Sequence, residues 1–118
     1  MSVPSEYAFS IPISATFFPD LAMRGTLAQI QAAAGDLANA ERAALRVLSE
    51  DERSTDAMLA LGMVYRRQKK LELARHALEL ALRLDATLPV AHSELAFVML
   101  DEANLPGAAR ALERAATF

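Results

Sequence analysis

Residues 55–88 read TDAMLALGMVYRRQKKLELARHALELALRLDATL, two runs rich in Ala and Leu separated by Gln68, Lys69 and Lys70. Ala and Leu head the helix-propensity scale, so the stretch predicts a helix, a short turn and a second helix. Its register recurs on both sides. Leu27, Leu61 and Leu95 are spaced by 34 residues, as are Leu37, Leu71 and Leu105, and Ala40, Ala74 and Ala108. A fixed period of this size means a stack of like units, each too thin to bury its apolar face alone.

Working outward, Pro19 followed by Asp20 predicts a stop and an N-cap, and Leu21, Leu27 and Ile30 supply an apolar stripe up to the break at Gly35-Asp36. A second helix is expected over about 37–49. Glu50-Asp51-Glu52 and Ser54 mark the next boundary, since acidic groups and a small hydroxyl favour a helix start. Helices over about 55–68 and up to 84 follow. Pro89 and Pro106 suit the first turns of a fifth and a sixth helix, where the missing N–H costs nothing. The expected fold is all-α: six helices in antiparallel pairs, as units 21–54, 55–88 and 89–118.

The middle unit, with Leu61-Gly62 and Tyr65 on its first helix and Ala74, Leu78 and Ala81 on its second, resembles the tetratricopeptide repeat. In the flanking units Ala28 and Ala96 stand where Gly62 does, and Gln31 and Met99 where Tyr65 does. Gly35-Asp36 matches the family's turn, whereas Lys69-Lys70 and Ala103-Asn104 depart from it, and Ala86 stands where the family places Pro. The small residues have a steric reason: Gly62 and Ala74 are expected where two helices of one pair cross closely. The resemblance implies a short right-handed superhelical solenoid over 21–118.

It also implies a concave groove lined by the first helix of each pair. Carried onto this sequence, the groove positions are Ala22, Gly25, Thr26, Gln29 and Ala32, then Leu59, Ala60, Met63 and Arg66, then Ser93, Glu94, Phe97 and Leu100. Gln29, Leu59, Met63, Arg66, Phe97 and Leu100 are the expected partner-binding residues. Leu59, Met63 and Phe97 make the centre apolar, and adaptable Met beside an aromatic suits a hydrophobic segment. Relatives that hold the acidic tail of heat-shock chaperones use Lys, Asn and Arg at the places of Gly25, Gln29, Ala60, Val90 and Glu94. None of these matches, so a carboxylate ligand would meet no clamp and would face Glu94.

Composition narrows the chemistry. A net charge of −3 without a long basic run lacks the electrostatic footprint of a nucleic-acid binder. Absence of Cys removes disulfides, thiolate catalysis and most structural zinc sites. His76 and His92, the two histidines, fall on different helices, one facing outward and one half-buried, and no phosphate loop, HExxH or nucleophile elbow occurs. No enzyme activity, cofactor or metal is expected. Arg66, Arg67, Lys69 and Lys70 form a basic cluster at a helix end, read as a solvated run opposing the helix dipole or as a dock for an acidic partner.

Residues 1–20 differ from the rest. They hold Pro4, Pro12 and Pro19 with Phe9, Ile11, Ile13, Phe17 and Phe18 between them, which predicts an extended apolar arm. The first positive charge is Arg24, so a secretory signal with a basic start is not expected, and the apolar run is too short and interrupted to span a bilayer. A cytoplasmic location follows as an expectation, and Arg-rich, Ala-rich usage points to a bacterial source. The arm carries too much apolar bulk for a free tail and is expected to pack along its own first helices or in the groove of a second copy. At the other end Leu112, Ala115 and Phe118 are expected to leave an apolar edge that a further segment, a second copy or a partner could cover. Function is expected to be protein–protein interaction, as an adaptor or scaffold. A small secretion-type chaperone and the N-terminal region of a larger enzyme are the alternatives.

Overall fold

The structure, a computed structural model, describes residues 21–118, with side chains from residue 23 onward. The expected arm over 1–20 and the Asp20 cap lie outside the described residues. Those described form six helices: α1 (Leu21–Ala33), α2 (Leu37–Glu50), α3 (Thr55–Arg67), α4 (Leu71–Leu84), α5 (Pro89–Asp101) and α6 (Leu105–Thr117). Both ends of α2, α3 and α4 and the start of α5 fall within a residue or so of their expected places.

The three turns inside the pairs share one backbone conformation despite different residues. Gly35, Lys69 and Ala103, 34 residues apart, all take positive φ, at 89°, 64° and 61°. In each turn the next N–H reaches back five residues, from Asp36 to the Gln31 carbonyl, Lys70 to Tyr65 and Asn104 to Met99. This is the Schellman closure of a helix C-terminus, which satisfies otherwise orphaned carbonyls. The departure of Lys69 and Ala103 from glycine therefore changes the strain and leaves the turn intact.

Between pairs a different device repeats. The chain leaves α2 at Asp51 and α4 at Asp85 in extended conformation. Asp51 Oδ1 accepts from the Arg53 N–H, and Asp85 Oδ1 from the Thr87 N–H and hydroxyl. Ser54 then caps α3, its Oγ accepting from the Ala57 N–H at 3.2 Å, and inside the third pair Asn104 caps α6 through the Gly107 N–H at 3.1 Å. Pro89 occupies the first turn of α5, as expected.

Packing follows the small residues. Ala28, Ala40, Ala74, Ala96 and Ala108 are buried, and Gly62 lies where α3 crosses α4 against Leu78. One apolar cluster joins Ala28, Ala44 and Val47 to Ala57, Ala60 and Leu61 across the first junction. Another joins Met58, Leu59, Leu78 and Ala81 to Ala91, Leu95 and Val98 across the second. The described residues form an all-α stack of helix pairs in the manner of the tetratricopeptide solenoid. Its core runs through both junctions.

Candidate functional site

Successive first helices touch, α1 with α3 and α3 with α5, while the second helices α2, α4 and α6 do not pack on one another to a comparable extent. Contact on one side and splay on the other bend the stack, so that the first helices form its inner side.

On that side α3 sits between neighbours and is covered nearly all round. Leu59 is 3% exposed, part of the core that spans α3, α4 and α5, and Ala60 is fully buried. The expectation that Leu59 is a groove residue is thereby corrected. A groove arc read from one pair alone includes positions that the next first helix covers. Gly25 and Ala32 are also buried, and a Cβ at Gly25 would lie 2.8 Å from that of Asp56. Gln29 is engaged too, its Nε2 donating to the backbone carbonyl and Oδ1 of Asp56, each at 3.1 Å. It ties α1 to the first turn of α3.

What remains accessible lies towards α5. Phe97 is 41% and Leu100 43% exposed, with Met63 and Arg66 half-buried on α3. Gln29, Met63 and Phe97 form one column at the 34-residue spacing, and Ala32, Arg66 and Leu100 form another. The first column becomes bulkier and more apolar from first pair to third, while the second carries a charge at its centre, Arg66, and ends on apolar Leu100.

Arg66 organises this surface. Its Nε donates to Glu94 Oε2 at 2.8 Å, and its guanidinium carbon lies 5.0 Å from the centre of the Phe97 ring. Glu94 is buried, so its charge is met by an ordered, charge-assisted bond instead of bulk water. Cation and aromatic face attract through the ring quadrupole, which fixes the exposed ring in place. Reading the sequence named Arg66, Glu94 and Phe97 as groove residues but did not pair them. The signal was there: opposite charges 28 residues apart lie on adjacent first helices when the period is 34.

The basic cluster is likewise committed in part. Lys69 Nζ lies 3.5 Å from Asp101 Oδ2, and Lys70 sits 6.0 Å above the Tyr65 ring. With Arg75 bound to Glu102, three ion pairs link the middle pair to the third, while Arg67, Lys69 and Lys70 of the basic cluster remain exposed.

His76 lies on the surface of α4 and His92 is buried on α5. His92 Nε2 is 2.9 Å from the Ala86 carbonyl oxygen, and its ring stacks on Phe118 with centroids 5.6 Å apart. Phe118 thus folds back over α5 while remaining more than half exposed, beside exposed Leu112 and half-buried Ala115. Among the described residues no group of three or more His, Asp or Glu side chains converges as a metal site would require. An apolar cleft of about 370 Å³, lined by Leu48, Leu61, Tyr65, Leu73 and Leu80, opens between the splayed helices α2 and α4. It contains none of the expected groove residues.

The pair α3–α4 carries the deciding observation, because Gly62 abuts Leu78 and Tyr65 packs against the cluster of Ala74, Leu78 and Ala81 in one unit that matches the tetratricopeptide repeat over residues 55–88. Residues 55–88 are a tetratricopeptide repeat. The flanking pairs share the fold of this repeat by structure. The crystal structure of the Yersinia enterocolitica type III secretion translocator chaperone SycD is similar to this chain, with a TM-score of 0.71 at 23% sequence identity. The match covers 80% of this chain and 72% of that one. No curated protein sequence matches. Among the described residues no helix is long and apolar enough to cross a membrane.

Proposed function

We propose that this chain is a protein-interaction module whose inner face holds an apolar helix or extended segment of a partner, with Met63, Phe97 and Leu100 as the contact surface. The observation that carries this is the exposed Phe97 ring held under Arg66, itself bonded to buried Glu94. An aromatic fixed before binding loses little freedom on contact, so more of its apolar burial appears as affinity. Among the described residues the terminal nitrogens of Arg66 make no bond, which leaves them to meet a backbone carbonyl of the segment. Gln29, spent on Asp56, borders the site without forming its centre.

The fold shared with a secretion chaperone supports a narrower form of this reading: the held segment belongs to a protein kept from aggregating before export. Affinity capture from cells of the source, comparing the native chain with a Met63→Glu/Phe97→Glu variant of unchanged helicity and melting temperature, tests both forms. Loss of the captured protein in the variant supports the inner-face site, and equal capture refutes it. Whether the captured protein is an exported one decides the narrower form.

A further inference from the structure

The outer cleft between α2 and α4 is apolar at places where the repeat does not require it. Leu73 and Leu80 line it from α4, and Leu73 is 51% exposed. At the 34-residue spacing Asn39 and Gly107 hold the place of Leu73, and Arg46 and Arg114 that of Leu80. The flanking pairs form the same fold without leucine at either place, so its bulk in the middle pair serves the cleft and not the pairing of helices. Buried Met58 and Leu61 with half-buried Leu48 and Tyr65 complete the apolar lining.

The cleft also has a chemical direction. At one end the Tyr65 phenol is hydrogen-bonded to Glu41, which makes that end acidic. At the other, by way of Met58, Leu80 and Glu52, it runs into a second hollow of about 320 Å³ bordered by Arg53 and Arg83. Among the described residues neither of these guanidinium groups belongs to an ion pair. Two arginines against Glu52 leave one positive charge to be met, which suits a monoanion better than a phosphate dianion. From Leu73 to Arg83 the helix rises about 15 Å, so apolar wall and cationic end lie one alkyl chain apart. Volumes of about 370 and 320 Å³ fall within the roughly 300–1,000 Å³ of small-molecule sites. We infer that this cleft binds a long-chain aliphatic carboxylate, its chain along Leu73 and Leu80 and its head at Arg53 and Arg83. The site lies between second helices, away from the inner face, and the inference is independent of that surface.

Titrating the full chain with octanoate, decanoate and dodecanoate, each below its micelle concentration and followed by amide chemical shifts, tests this. Affinity should rise roughly fivefold or more with each two methylenes added. The amides of Leu73, Ala77 and Leu80 should shift while those of Phe97 and Leu100 stay in place. Leu73→Asn/Leu80→Gln makes both places polar, as their counterparts in the first pair are, and should weaken decanoate binding at least tenfold with helicity unchanged. Arg53→Gln/Arg83→Gln leaves the apolar wall intact and should weaken it about fivefold. Affinity independent of chain length, or native affinity in both double variants, overturns the inference. So do shifts centred on Phe97 and Leu100, because the chain would then lie on the inner face.

Discussion

A methyl group on Gly62 would lie 2.5 Å from Cδ2 and 2.7 Å from Cγ of Leu78, the side chain that fills the crossing of α3 and α4. Leu78 is fully buried and has no space to withdraw. The equivalent crossing in the first pair brings Ala28 and Ala44 together, so one small partner is replaced by Gly where the other is replaced by Leu.

Gly62→Ala is therefore expected to destabilise the fold by about 1–3 kcal/mol through overpacking, although Ala gains about 1 kcal/mol over Gly in helix propensity. Leu78→Ala alone is expected to cost about 2–5 kcal/mol through the cavity it leaves. The double variant recreates the first pair's combination and should be more stable than the two single costs added together. Urea unfolding of the four proteins measures this, and strict additivity would mean that the two residues do not share one space.

The turn residues give a change of opposite sign. Ala103 sits at φ 61° with an exposed side chain, a conformation that costs an ordinary residue about 1 kcal/mol. Ala103→Gly should stabilise by roughly 0.5–1 kcal/mol, and Gly35→Ala, at φ 89°, should destabilise by about 1 kcal/mol. Thermal melts of both read the two signs directly. Lys69 is a poorer test because its ammonium also meets Asp101.

This contrast shows how far the sequence carries. The 34-residue spacing of Leu27, Leu61 and Leu95 and of three alanines fixes the pairing of helices, because residues at one register position occupy equivalent places in successive pairs, although Leu27 itself stays exposed. The turns at Lys69 and Ala103 look irregular in sequence because the backbone, and not the side chain, repeats there. Leu59 was misplaced for a related reason: a position's face is set by its own helix, but its exposure is set by the neighbouring helix. Arg66, Glu94 and Phe97 were each legible as inner-face residues. Their joint geometry depends on how α3 and α5 approach, which no single unit encodes.

Removing Arg66 leaves the Glu94 carboxylate buried without its cation. Arg66→Met is expected to cost about 1–3 kcal/mol, and Glu94→Gln somewhat less. Arg66→Lys should not restore the loss, because a single ammonium cannot bond Glu94 and stack on Phe97 as a planar guanidinium does. A double-mutant cycle should show coupling of about 1 kcal/mol or more. Coupling indistinguishable from zero would make the pair ornamental.

Tyr65 gives a pH signature. Burial first, then the Glu41 charge and a hydrogen bond to it, raise the phenol above its ordinary value of 10.0. The folded state thus holds this proton more tightly than the unfolded state. Stability from this source is intact below about pH 10 and is lost as pH rises from there through the folded-state value. The urea midpoint of the native chain should fall more between about pH 9 and pH 11 than that of Tyr65→Phe, which has no proton to lose. Parallel pH profiles would show that the phenol is not held.

The inner face is tested most directly by calorimetric affinity for the partner obtained by affinity capture, measured on two variants matched for stability. Phe97→Glu removes an exposed anchor beside Arg66, and binding should weaken at least tenfold, about 1.4 kcal/mol. Leu112→Glu, on exposed α6 away from that face, should bind within about twofold of the native chain. Unchanged binding by Phe97→Glu, with loss in Leu112→Glu, would contradict an inner-face site and place recognition on the α6 edge.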